Sequence, residues 1–259
     1  MPECRDGVGD RPPLGGARDP AGVVWMVRVE GKLRVWDWAA GPPPTRLMWP
    51  VRTPASSDLS RHVPVATKSM TTGGVLGLES GLEHDLVRVL DRRSDVVWLV
   101  EQPMRLRFVR RRNGRAVRHV PDLLSVHDDR RVVVWDARPS GRQDDLFCLK
   151  AQLTAEACAA VGWGYEVFAG LSPVERANLL WVDGARQEPA WAPAASLVLW
   201  DFLTSGDRTL GEVLALDKGA GHLVSTLWHL IWRGAVHCDL STPITVSTPL
   251  QWCETAAVR

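Results

Sequence analysis

The chain has 259 residues, 45% hydrophobic and 24% charged, a balance suited to one large or two ordinary folded domains and not to a disordered or fibrous chain. Its net charge is +1 and its pI about 7.7, so the totals neither demand nor exclude a nucleic-acid partner, and local patches must decide. Five scattered cysteines without a C-x-x-C pair argue against a disulfide framework or a zinc site, and no apolar run approaches bilayer-spanning length. A cytoplasmic protein with no membrane partner is expected.

In chain order, residues 1–20 mix Gly, Pro and charge without an apolar core, the composition of a tail and not of a signal peptide. Residues 23–38 carry two β-branched and aromatic runs around Glu30-Gly31-Lys32, a hairpin pattern. Residues 41–68 are interrupted by Pro and Ser and read as an irregular lead-in. Leu78, Leu82, Leu86, Val89 and Leu90 recur at helical spacing and predict a helix over residues 78–92, with Glu79, Glu83 and Asp85 among its acids.

Strands are predicted at residues 96–101, 104–110, 116–120, 123–127 and 131–136, with Asn113-Gly114 and Asp128-Asp129 as turns. The stretch 143–162 is rich in Ala and Leu and closes on Gly162, which predicts a helix; a strand at 165–168 follows, then a helix opened by Ser172-Pro173. Turn formers at 183–193 mark a linker. Beyond it a helix, a turn at Lys218-Gly219, a second helix ending at Trp232 and two short strands follow the order of a winged helix. The expected division is a tail with lead-in strands over 1–64, an α/β domain over 65–183 and a winged-helix-like domain over 184–259.

The stretch that can carry chemistry is HVPDLLSVHDDRRVVVWDARP. Asp122 begins one strand and Asp136 ends the next, so an antiparallel turn brings both carboxylates to one end of the pair. Two carboxylates there repel unless a cation intervenes, and a hard divalent ion such as Mg²⁺ suits oxygen ligands while polarising a phosphoryl oxygen and acidifying a bound water. Residue 138 lies two positions on, and strand alternation sends it to the same face. Upstream, the stretch 105–118 holds seven arginines and no acid. Of these, Arg107, Arg110, Arg111, Arg112, Arg115 and Arg118 are suited to tracking a phosphate backbone, or to keeping a solvated hairpin edge from aggregating. The histidines show no zinc-ligand spacing, and the tryptophans lie mostly among apolar residues.

Taken together, LESGLEHDLVRVLDRRSDVVWLVEQPMRLRF, HVPDLLSV, VVVWDARP, KAQLTAEACAAVGWGYEVF and LWHLIWRGAVHCDLSTPI, in that order, resemble the TnsA-type endonuclease subunit of heteromeric bacterial transposons. That family belongs to the PD-(D/E)XK nucleases, and the likeness covers roughly residues 60–250. It implies a restriction-endonuclease-like core, a mixed sheet flanked by helices, followed by the small winged-helix-like domain. It implies metal ligation by Glu83, Asp122 and Asp136, with Mg²⁺ or Mn²⁺ as cofactor. It also implies double-stranded DNA at transposon ends as substrate, with a DDE-type transposase and an AAA+ ATPase regulator as partners.

One residue departs from that pattern. Arg138 stands where the family has lysine, and arginine is planar, forked and permanently charged, able to neutralise phosphate but not to act as a general base. Lys150, early in the next helix, is a candidate substitute cation. Three readings therefore stand: a metal-dependent endonuclease subunit, a catalytically weakened nuclease-fold adaptor for DNA and transposase, and a winged-helix DNA-binding regulator. Against the third, the segment GHLVSTLWHLIWRG has few basic residues with which to read a major groove.

Overall fold

A computed structural model describes residues 22–52, 65–109 and 116–253, a mixed α/β arrangement of several sheets with six α-helices among those residues. The elements are β1 (Val24–Val29), β2 (Lys32–Val35), β3 (Met48–Trp49), β4 (Val65–Lys68), β5 (Val75–Leu78), α1 (Gly81–Asp91), β6 (Val96–Glu101), β7 (Met104–Val109) and β8 (Ala116–His119). They continue with β9 (Leu123–His127), β10 (Val132–Ala137), α2 (Asp145–Ala160), β11 (Gly164–Phe168), α3 (Pro173–Asp183) and α4 (Ala192–Thr204). The chain ends in β12 (Arg208–Thr209), α5 (Leu210–Leu216), α6 (His222–Trp232), β13 (Val236–His237) and β14 (Pro249–Trp252).

The central sheet has the order β11-β10-β9-β6, with β10 and β11 parallel and the other pairs antiparallel. VVVW in β10 is apolar throughout because both faces of this sheet are covered, as expected for a strand in the middle of a layered fold. Val133 and Trp135 face one core with Leu86, Val87 and Leu90 of α1 and with Leu76 and Leu78 of β5. Val132 and Val134 face the other core, with Ala157 and Cys158 of α2 and with Trp25, Val27, Met104, Leu106 and Phe108. Those last residues belong to a second sheet of order β2-β1-β7-β8, to which β3 adds by pairing β1. The hairpin expected at 23–38 is thus built into this sheet through β1–β7 pairing.

Helix α1 starts three residues later than its leucine spacing predicts, because Leu78 ends β5 and Ser80 caps the helix by accepting the Glu83 N–H at 3.2 Å. Asp144 caps α2 in the same way, and Gly162, with φ of +75°, takes the left-handed conformation just beyond its end. Helix α3 carries a full capping box between Ser172 and Glu175 with Pro173 in its first turn.

A separate core joins Leu179 and Val182 of α3 to Leu199 and Leu203 of α4, Leu210 and Val213 of α5, and Leu227, Leu230 and Ile231 of α6. The buried face of α3 therefore packs with elements beyond Asp183, the position at which the sequence expects a linker. Helix α4, which falls at the end of that stretch, has no counterpart among the predicted elements. The strands after it form a three-stranded sheet of order β12-β14-β13. Gly211, in the first turn of α5, lets the Val246 carbonyl oxygen approach its N–H at 2.7 Å, since a Cβ there would meet that oxygen at 2.9 Å. No helix among the described residues is long and apolar enough to cross a membrane.

Ion pairs fasten α1 to this C-terminal core. Asp85, 4% exposed, accepts from Arg88 at 2.9 Å and from Arg176 of α3 at 2.6 Å, while Arg88 also reaches Asp183 at 3.1 Å. Arg92 donates to the carbonyls of Ile231 and Trp232 at the end of α6, where a cation meets the negative end of the helix dipole. Asp85→Ala leaves Arg88 with Asp183 alone and Arg176, half exposed, to solvent, and is expected to lower unfolding stability by about 2 kcal/mol, the scale of lost charge-assisted hydrogen bonds and not of an uncompensated buried charge. Urea denaturation of the two proteins checks this.

Candidate functional site

The acid cluster arises from strand register. Leu123 pairs Trp135 across β9 and β10, and continuing one residue sets Asp122 opposite Asp136. The Asp122 N–H donates to the Trp135 carbonyl at 3.0 Å, and Asp122 Oδ2 accepts the Ala137 N–H at 2.7 Å, which ties the first carboxylate to the backbone beside the second. Asp136 is 2% exposed. Both border a cleft of about 550 Å³ that also takes in Glu83, His119, Arg138 and Lys150.

Burial and then repulsion from Asp136 and Glu83 push the Asp122 carboxyl well above the usual carboxylate range. Burial likewise raises Glu83, which is 7% exposed. Three acids are therefore set where their negative charges oppose one another. Their oxygens are not equally available. Glu83 uses both within the start of α1: Oε1 accepts the Ser80 hydroxyl at 2.8 Å and Oε2 the Glu79 N–H at 2.9 Å. Asp122 and Asp136 each keep Oδ1 without a hydrogen-bond partner among the described residues.

Asp136 has two neighbours that the sequence reading did not assign to it. Its Oδ2 accepts from His119 Nε2 at 2.7 Å and from the Tyr165 hydroxyl at 2.5 Å. Tyr165 pairs Val134 across β11 and β10, so alternation puts its side chain on the Asp136 face. Its hydroxyl pKa is raised by burial and by the adjacent carboxylate, so it stays protonated and donates. His119 lines the cleft as a partner of the acid. Tyr165 carried no local signal beyond lying in a predicted strand.

The two cations of the candidate set differ. Arg138 follows β10 and lines the cleft, yet its Nε donates to the Arg142 carbonyl at 2.8 Å and its Nη2 lies 3.9 Å from Asp144. Its guanidinium also sits 5.7 Å from the Phe147 ring centre. Lys150, on α2, borders the same cleft and makes no side-chain hydrogen bond or ion pair among the described residues. Arg107 and Arg118 lie opposite one another on β7 and β8. Arg110, Arg111, Arg112 and Arg115 lie outside the described residues.

No family model matches this chain, and no curated protein matches it. What the arrangement can do therefore rests on its donors. Among the described residues no three His, Cys, Asp or Glu side chains are gathered into a ready ligand set. Asp122 and Asp136 nevertheless fit a hard divalent cation: two opposed carboxylates, each with one oxygen to offer, the number with which Mg²⁺ is commonly held alongside water. Glu83 borders the same cleft, and each of its oxygens accepts one hydrogen bond and keeps a second lone pair for a cation.

Proposed function

We propose that the chain is a TnsA-like, metal-dependent DNA endonuclease subunit that hydrolyses a phosphodiester at transposon ends, with a PD-(D/E)XK-type core followed by a winged-helix-like domain. The observation that carries this reading is the pairing of Asp122 and Asp136 at the mouth of two neighbouring strands, in a cleft with Lys150 at its edge. Mg²⁺ or Mn²⁺, held by Asp122 and Asp136, would polarise the phosphoryl oxygen and lower the pKa of the attacking water.

The remaining roles fall to the chain. In hydrolysis the water oxygen bonds to phosphorus and gives up a proton, the bond to the leaving sugar oxygen breaks, and that oxygen takes up one proton, so that the two transfers balance. Lys150 is placed to balance the charge that grows on the phosphoryl oxygens. Tyr165 and His119 hold one oxygen of Asp136 and so fix the direction of the other. Removing one of them loosens that aim: Tyr165→Phe is expected to weaken Mn²⁺ binding by about tenfold in calorimetric titration, the lower end for losing a ligand's orienting partner.

A second reading, a nuclease-fold adaptor without cleavage, draws support from Arg138, whose guanidinium is turned onto Arg142 and Asp144. The regulator reading is the weakest, because α6 buries Thr226, Leu227, His229, Leu230, Ile231 and Trp232, leaving little of it to enter a groove. The deciding experiment is nicking of a transposon-end duplex in Mg²⁺ by the complex reconstituted with a DDE-type transposase and an AAA+ ATPase. Cleavage that needs Asp122 supports the enzyme. Nicking unchanged by Asp122→Ala, or divalent-ion binding absent by calorimetry, overturns it.

A further inference from the structure

Beside the acid cleft lies a smaller one of about 310 Å³, lined by Arg52, Arg105, Arg118, His119, Val120 and Lys150. Its cations come from four places in the chain: the loop after β3, strand β7, strand β8 and helix α2. No carboxylate lines it. Arg52 is already balanced, donating to Gln102 at 3.2 Å and pairing Glu79 at 2.6 Å. Arg105, Arg118 and Lys150 make no side-chain hydrogen bond or ion pair among the described residues. Several arginines elsewhere, among them Arg88, Arg93, Arg131, Arg176 and Arg208, meet carboxylates, which these three do not among the described residues.

Three unpaired cations around one hollow repel each other, and an anion relieves that repulsion as a cation relieves the facing acids. A guanidinium presents a fork of donors that matches the oxygens of a phosphate. The two clefts also share walls, since His119 and Lys150 line both. A free phosphate would occupy the basic hollow alone, whereas a polymer whose phosphates repeat along its length can occupy both at once. Arg107, opposite Arg118 and with a buried Nε that has no partner among the described residues, extends the same basic strip.

We infer that this basic hollow is a subsite for one backbone phosphodiester of a nucleic-acid strand, neighbouring the linkage presented to Asp122 and Asp136. The inference rests on the nuclease reading for which linkage is cut, but not for binding. It makes Arg105 and Arg118 positioning residues that set where along the strand the acid cleft falls.

The test uses the full chain and a fluorescein-labelled duplex in EDTA, with one neutral methylphosphonate linkage moved stepwise along a strand. For the unmodified protein, a single linkage position is expected to weaken binding by about tenfold, as for a lost charge-assisted hydrogen bond. The Arg105→Gln/Arg118→Gln protein is expected to bind more weakly, to lose the sensitivity at that position, and to show a salt slope shallower by about 2. Matching thermal melts of the two proteins certify that the double variant is folded.

Equal loss at every position, or undiminished sensitivity in the double variant, overturns the subsite. So does displacement of the duplex by inorganic phosphate at the concentration of its own linkages, which marks a free-phosphate site. A protein that passes this test yet never nicks DNA overturns the nuclease reading alone. One that nicks DNA without a sensitive linkage overturns the subsite alone.

Discussion

With asparagine at position 122, nicking by the reconstituted complex is expected to fall by at least about 10³-fold, some 4 kcal/mol of transition-state stabilisation, while the fold becomes more stable. The two effects have one origin. Burial and the neighbouring acids hold the proton on the folded Asp122 carboxyl to higher pH than in the unfolded chain, whose carboxyl has the ordinary value of 3.8. Folding therefore takes up a proton between 3.8 and the raised value, and stability falls as pH rises through that interval. The substituted amide carries no charge to bury and keeps a side-chain oxygen for the Ala137 N–H, so that loss disappears.

Thermal melts from pH 4 to pH 8 check this: the wild-type melting temperature should decline toward neutrality more steeply than that of Asp122→Asn. Added Mg²⁺ should recover stability in the wild type and do little for the variant, by the linkage between ligand binding and folding. A variant that is equally active, or whose stability responds to Mg²⁺ as the wild type does, removes Asp122 from the site.

The strand pair that carries these acids was legible because its signals are local. VVVW announces a strand covered on both faces, and Asp128-Asp129 announces the turn that makes it antiparallel to LLSVH. From those two facts alone Asp122 and Asp136 must meet. Less local features were harder to see. Leu78 continues the leucine spacing of α1, so periodicity draws it into the helix, although the Ser80 to Glu83 cap signal marks the true start. Helix α4 reads APAASLVLWDFLT, apolar almost all round, which weakens any amphipathic period, and Pro193 at its start suggests a linker until it is seen as a first-turn proline. That Tyr165 and His119 share one oxygen of Asp136 was beyond reach for a different reason. Their meeting at Asp136 depends on the parallel register of β10 with β11 and on how β8 lies against the central sheet, neither of which short-range pattern specifies.

Arg138 and Lys150 are expected to exchange the importance that their positions in the sequence suggest. Lys150→Met should reduce nicking by about 10²-fold or more, the scale on which removal of one transition-state charge partner acts. Arg138→Lys should leave the rate within about threefold. Side-chain engagement separates them. The Arg138 guanidinium is held by the Arg142 carbonyl, by Asp144 and by the face of Phe147. Moving it to a phosphate costs those contacts, so the arginine contributes little to the chemical step that its replacement could remove. Lys150 gives up no partner among the described residues when it turns toward a phosphoryl oxygen, and it lies where the acid and basic clefts join. Single-turnover nicking with saturating protein isolates the chemical step from DNA affinity, which Lys150→Met also weakens through the basic cleft. If Arg138→Lys instead raises the rate tenfold or more while Lys150→Met is neutral, the strand-end position is the working cation, and the arginine there is what slows the chemistry.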